Sequence, residues 1–341
     1  MKSTTKTALT QETIQKIMTK HFGDVIVRSV DELTEGWFNA IYVVNYAMSE
    51  DEHTVVIKTG VEDGKYILTY EKNIMQTELE VYDLLASNII PTPTILARDF
   101  SHELADCNYF IMEYMTGDNW GHLNAQITPE NKDLLVAELA QYTAALHQNK
   151  GNWYGYLKND AYYQHETWRE AFKGMVQMQI DDANAAGLET PFEQVLETFE
   201  PLWYLLDEIT EPSLVNFDMW TKNIMLKQGE DGLYHIDAIL DFERCFYGDA
   251  KADFISSNTV VGDVSNSQIF QENYSKISGK EFTFDYHDKV RQHMYLVYLM
   301  MLGCVEVYRS DDPEIRAQQL SGSSQAILGI LGGLKELAKG L

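Results

Sequence analysis

Residues 213–254 read SLVNFDMWTKNIMLKQGEDGLYHIDAILDFERCFYGDAKADF, and the architecture turns on them. Two β-like runs, 224–226 and 233–240, flank a Gly-Glu-Asp-Gly turn, which predicts a hairpin. Asp218 and Asn223 precede the first strand, and Asp241 ends the second. Folding the hairpin brings these three oxygen-bearing side chains to one end of it. Two carboxylates and an amide carbonyl suit a hard cation such as Mg²⁺. The same arrangement leaves one carboxylate to accept a proton from an attacking hydroxyl. Taken alone, Asp and Asn at a strand edge are ordinary turn residues, so the reading depends on what the rest of the chain supplies.

The order Asp218, Asn223, hairpin, Asp241-Phe-Glu, then Gly248-Asp249 and Asp253 resembles the aminoglycoside phosphotransferase and choline kinase superfamily, relatives of the protein kinases. The resemblance implies an α+β, two-lobed protein-kinase-like fold: a small N-terminal antiparallel sheet with a helix, and a larger, mainly helical C-terminal lobe. It implies that Asp218 is the catalytic base, that Asn223 and Asp241 hold Mg²⁺, and that ATP, or GTP in its place, is the phosphoryl donor. The family usually carries His two residues before the base, where this chain has Asn216. Asn can also donate, so the loop is expected to survive. The departure prompts a second reading, a nucleotide-binding pseudokinase with a regulatory or scaffolding role.

With 341 residues the chain is long enough for two lobes of ordinary size. A formal net charge of −26 argues against a nucleic-acid partner and favours a cationic acceptor. Three widely spaced cysteines, Cys107, Cys245 and Cys304, fit a reducing, cytoplasmic compartment. No secretory signal pattern opens the chain, and the longest apolar run, residues 294–305, is too short to span a bilayer.

The remaining parts of a phosphoryl-transfer site can be sought in chain order. Gly36 and Asn39 lie between two strand-like runs, where a tight turn could lay N–H groups over phosphates; they resemble the family's nucleotide-covering loop. In Thr54-Val-Val-Ile-Lys-Thr, Val55 and Ile57 share one face while Val56 and Lys58 share the other. The run resembles the kinase strand whose lysine grips the α and β phosphates. A helix is expected over 71–87. At about 100° per residue, Met75, Tyr82 and Leu85 lie within about 60° of Glu78, so Glu78 faces the core while Glu80 faces water. A buried carboxylate needs a cation, and Lys58 is the candidate. Residues 109–117 form a strand and turn resembling the kinase hinge, with the backbones of Glu113 and Met115 set to pair with adenine. The lobe boundary is placed there: 1–115 binds nucleotide, and 116–341 carries catalysis and the acceptor.

Farther on, 131–147 has helical spacing, and its terminal His147 is read as structural. The aromatic stretch 151–212 corresponds to the acceptor wall of related kinases. Asp181, Asp182, Glu243 and Asp249 are the candidates for an acidic acceptor site. Helices are expected over 290–308 and 317–337, the last of them loosened by Gly329, Gly332 and Gly333. The acceptor is expected to be a small hydroxylated molecule of aminoglycoside-like type, with no membrane partner, and the oligomeric state is left open.

Overall fold

The computed structural model describes residues 3–34 and 36–341. The chain divides into two compact units: Met1–Ile67 with Pro93–Met115 and Val307–Ala317, and Leu68–Thr92 with Thr116–Glu306 and Gln318–Leu341.

The first unit is a five-stranded sheet. Its strands are β1 (Ile26–Leu33), β2 (Ala40–Met48), β3 (Asp51–Thr59), β4 (Ile95–Asp99) and β5 (Tyr109–Glu113), in spatial order β1-β2-β3-β5-β4. Every neighbouring pair is antiparallel. Helix α1 (Gln11–Phe22) begins where the Thr10 side chain accepts the Thr13 N–H and ends at Gly23, whose φ of 81° few other residues adopt. It buries Ile14, Ile17 and Met18 with the sheet residues Ala40, Val44, Val55, Ile57 and Ile111. The period-2 pattern of β3 therefore sends Val55 and Ile57 toward α1, while Val56 and Lys58 take the opposite face, also buried.

In the second unit, α2 (Ile74–Leu85) starts three residues later than the sequence predicts. The Glu71 carboxylate instead accepts the Leu68 N–H at 2.7 Å, closing a 3₁₀ turn over Thr69–Glu71. Asn73 then takes a left-handed φ of 57°, a conformation that Asn tolerates. The predicted faces hold: Met75, Glu78, Tyr82 and Leu85 are buried and Glu80 is exposed.

The predicted hairpin forms from β9 (Ile224–Gln228) and β10 (Tyr234–Ile239), with Ile224 opposite Ile239 and a two-residue β6 (Asp118–Asn119) added to β9. A second small sheet joins β7 (Gly155–Tyr156), β11 (Phe246–Gly248) and β8 (Ser213–Val215). Beneath it, Trp168 stacks on Phe246 at 5.4 Å, and Phe172 meets Tyr295 and Tyr298 edge-on. Much of the aromatic 151–212 stretch is thus core.

The final helix, Pro313–Ala338, is continuous through the glycines expected to loosen it. Ile327, Leu331 and Leu334 bury one face at helical spacing, while Gly329, Gly332 and Gly333 lie on exposed turns. Packing of the buried stripe outweighs the glycine penalty of about 1 kcal/mol each. Among the described residues, no helix is long and apolar enough to cross a membrane.

Candidate active site

Strand β8 ends at Val215, and the next two backbone donors leave the sheet ladder. Both go to one buried carboxylate: Asp253 accepts the Asn216 N–H at 3.0 Å and the Phe217 N–H at 2.6 Å. The same carboxylate meets His147 Nε2 at 2.9 Å, and His147 Nδ1 meets the Tyr274 hydroxyl at 2.8 Å. His147 is therefore spent on anchoring the loop. Phe217 adopts φ 63°, unusual for a bulky residue, with its ring buried against Phe246 and Tyr298. Those contacts hold a backbone turn from which the next side chain, the half-buried Asp218, projects.

Asn216 braces this turn from both sides. Its Oδ1 accepts the Asp218 N–H at 2.8 Å, and its Nδ2 donates to the Asp241 carbonyl at 3.4 Å. Asn223 closes the loop, its Nδ2 donating to the Asp218 carbonyl at 3.0 Å and to Asp218 Oδ2 at 3.2 Å. With that nitrogen committed, the amide offers its oxygen to a cation. The Leu240 N–H donates to the Asn223 carbonyl at 2.8 Å, tying the loop to the end of the hairpin. Asp241 follows at φ 65°, its N–H donating to the Tyr82 hydroxyl at 3.3 Å. Two left-handed non-glycine residues thus flank the acidic end of the hairpin, a place where backbone strain is characteristic of functional sites.

Glu78 and Glu243, both buried, join Asp241 in a cluster whose ligand atoms all lie within 4.8 Å of one another. These three carboxylates, with Asn223 tied to the residue before Asp241 through its carbonyl, make an all-oxygen donor set that fits Mg²⁺. Burial pushes the Asp218 carboxyl up to about 7, with Asp241, Glu243 and Glu306 adding to the rise and Arg244 opposing it. Arg244 Nε lies 4.0 Å from Asp218 Oδ2, and its Nη2 lies 3.0 Å from Glu306 Oε1. The sequence reading passed over both Arg244 and Glu306. Glu306 closes the apolar run of the preceding helix, Tyr286–Val305, but nothing in that run points to Arg244 as its partner.

The other expected acceptor residues are placed differently. Asp182 is buried and accepts the N–H and hydroxyl of Thr69, both at 2.8 Å. Asp249 is buried, accepting the Lys251 N–H at 2.9 Å and the Tyr295 hydroxyl at 2.8 Å, with Arg291 Nε at 3.4 Å. Asp181 is exposed and accepts from Gln177. Of the four, Glu243 is the one brought beside Asp241.

The nucleotide-binding candidates Gly36, Asn39, Lys58, Glu113 and Met115 lie in the first unit. Gly36 and Asn39 occupy the β1–β2 connection. Lys58 sits on β3 opposite Ile41 and Phe110. The Glu113 N–H donates to the Thr94 carbonyl at 2.9 Å, and its carboxylate accepts from the Thr94 hydroxyl at 3.0 Å. Met115 is half-buried at the end of its segment.

A family model described as the phosphotransferase enzyme family matches residues 49–279. Solved structures share the fold. A putative aminoglycoside phosphotransferase from Ralstonia eutropha JMP134 aligns with a TM-score of 0.64 at 15% identity, covering 97% of this chain and 99% of that one. A mutant aminoglycoside 2'-phosphotransferase-IIIa in its GDP complex gives 0.63 at 14% identity, covering 95% and 100%. The streptomycin–ATP ternary complex of APH(2'')-IIa gives 0.59 at 15% identity, covering 95% and 99%. None of the curated proteins matches the chain.

Proposed function

The chain belongs to the phosphotransferase enzyme family, and from that premise we propose that it is a small-molecule kinase moving the γ-phosphoryl group of ATP to a hydroxyl of an aminoglycoside-like or other small hydroxylated acceptor. The observation that carries this reading is the meeting of Asp218, Asn223 and Asp241 at one end of the hairpin, with Asn223 Nδ2 3.2 Å from Asp218 Oδ2.

In the proposed mechanism Asp218 orients the acceptor hydroxyl and takes its proton as the oxygen bonds to the γ-phosphorus. The bond from that phosphorus to the bridging oxygen breaks, and ADP leaves with the electron pair. A carboxyl pushed up to about 7 is matched to accepting a proton near neutrality. Asn223 and Asp241, with Glu243 in the same carboxylate cluster, would hold Mg²⁺. The ion, when bound, offsets charge on the phosphate oxygens. Lys58 is assigned to the phosphates, with Glu78 as its expected acidic partner. Gly36 and Asn39 are assigned to the covering loop, and the backbones of Glu113 and Met115 to adenine. On this assignment residues 1–115 form the nucleotide-binding part and 116–341 the catalytic and acceptor-binding part. The acidic composition favours a cationic acceptor, and three buried free cysteines support a cytoplasmic setting.

The test is Mg²⁺-dependent ADP release across aminoglycosides, macrolides, sugars and amino alcohols, for the native chain and Asp218→Ala. Acceptor-stimulated release lost in the variant supports the kinase. Nucleotide binding without release in the native chain supports the pseudokinase reading.

A further inference from the structure

Glu306 lies 27 residues beyond the family-matched segment, at the end of the helix Tyr286–Val305, and holds a guanidinium beside Asp218. Arg244 Nη2 reaches both Glu306 oxygens, at 3.0 and 3.2 Å, and the Tyr70 hydroxyl donates to Oε1 of the same carboxylate. Arg244 and Glu306 are 14% and 12% exposed, so water screens this pair little. Nε of the same guanidinium lies 4.0 Å from Asp218 Oδ2, an ion-pair contact beyond hydrogen-bond reach, and that oxygen also receives Asn223 Nδ2. Both neighbours approach the same oxygen.

We propose that Glu306 is a positioning residue: through Arg244 it fixes which oxygen of Asp218 meets the acceptor, so the C-terminal helices complete a site whose reacting groups all lie earlier in the chain. The inference rests on the proposed role of Asp218 as base. A long arginine side chain has many rotamers, and an unpaired Arg244 would fold onto the neighbouring carboxylates Asp218, Asp241 or Glu243. Glu306 and the Tyr70 hydroxyl select one rotamer. Lysine cannot replace it, because a single ammonium has no second nitrogen to face Asp218 while the first is held by Glu306.

The test compares Glu306→Gln, Glu306→Asp and Arg244→Lys with the native chain in crystal structures and in Mg²⁺-ATP turnover, using water as acceptor. In Glu306→Gln, Arg244 is expected to leave Glu306 and the Asp218 Oδ2 to Asn223 contact to open. The turnover kcat should fall roughly tenfold while KM for ATP stays within about twofold. Glu306→Asp, which keeps the charge, should recover part of the loss and Arg244→Lys none. Asp218 holding its native rotamer and its Asn223 contact in Glu306→Gln overturns the proposal, whatever the rates. If native turnover does not exceed that of Asp218→Ala, the kinase reading fails, and the crystallographic comparison still decides whether Glu306 positions Asp218.

Discussion

Replacing Asp253 by Ala should release the loop that carries Asp218. The side chain is fully buried and takes two backbone N–H donors, from Asn216 and Phe217, together with His147 Nε2. Each hydrogen bond to a charged group contributes about 1.5–3 kcal/mol. Water entering the vacated space and relaxation of His147 return part of the sum, so the net loss should be about 3–5 kcal/mol. Asp253→Asn keeps one acceptor oxygen but turns its nitrogen toward a donor, and should lose about half as much. The assay is urea unfolding followed by tryptophan fluorescence, with the helical signal as a second probe of cooperativity. Because those bonds act with the ring contacts of Phe217 to hold its φ of 63°, the alanine variant should also lose Mg²⁺-ATP turnover at temperatures where it remains folded. A stability loss below about 1 kcal/mol in Asp253→Ala would refute the reasoning.

Further outcomes can be checked on single variants. Phe217→Ala removes a ring packed against Phe246 and Tyr298 and should cost about 3–5 kcal/mol by thermal unfolding, more than any gain from relaxing its backbone. Lys158 is buried, and that burial lowers its ammonium to about 7; its Nζ donates to the carbonyls of Tyr70 and Lys72. The unfolded lysine binds its proton up to its ordinary value near 10.4, so between pH 7 and 10 the unfolded state carries more protons. Stability of the native chain relative to Lys158→Met should therefore rise with pH across that window, by no more than about 1.4 kcal/mol per pH unit, as read from paired urea titrations. Glu243→Gln should weaken Mn²⁺ binding, measured by electron paramagnetic resonance, by about 10-fold or more, whereas Asp181→Asn, on an exposed helix face, should leave it unchanged.

Much of the second unit's acidic centre was legible because its residues lie close in sequence. Strand-like runs on either side of Gly-Glu-Asp-Gly mark the hairpin, and the hairpin sets Asn223 and Asp241 at one end, with Asp218 in the loop that leads into it. The burial of Glu78 was readable for the same reason, since helical periodicity places it among Met75, Tyr82 and Leu85. Arg244 and Glu306 were not legible: 62 residues separate them, and nothing local distinguishes their pairing from two surface charges. The left-handed backbone of Phe217 was equally hidden, because phenylalanine has no local preference for it and tertiary contacts impose it. Asp182 and Asp249 look like ligands in a sequence and are taken up inside the protein, one by Thr69 and the other by Tyr295 and Arg291. Exposed glycines in the last helix misled for the opposite reason, since local propensity there is overruled by three buried aliphatic side chains.

The central claim is spatial, that a divalent ion and a triphosphate meet Asp218 at the end of this hairpin. The most direct measurement is the anomalous-scattering map of crystals soaked with Mn²⁺ and a non-hydrolysable ATP analogue. The account predicts a metal peak within coordination distance of Asn223 Oδ1 and the Asp241 carboxylate, with the γ-phosphate beside Asp218. A nucleotide bound with its metal away from both residues would contradict it.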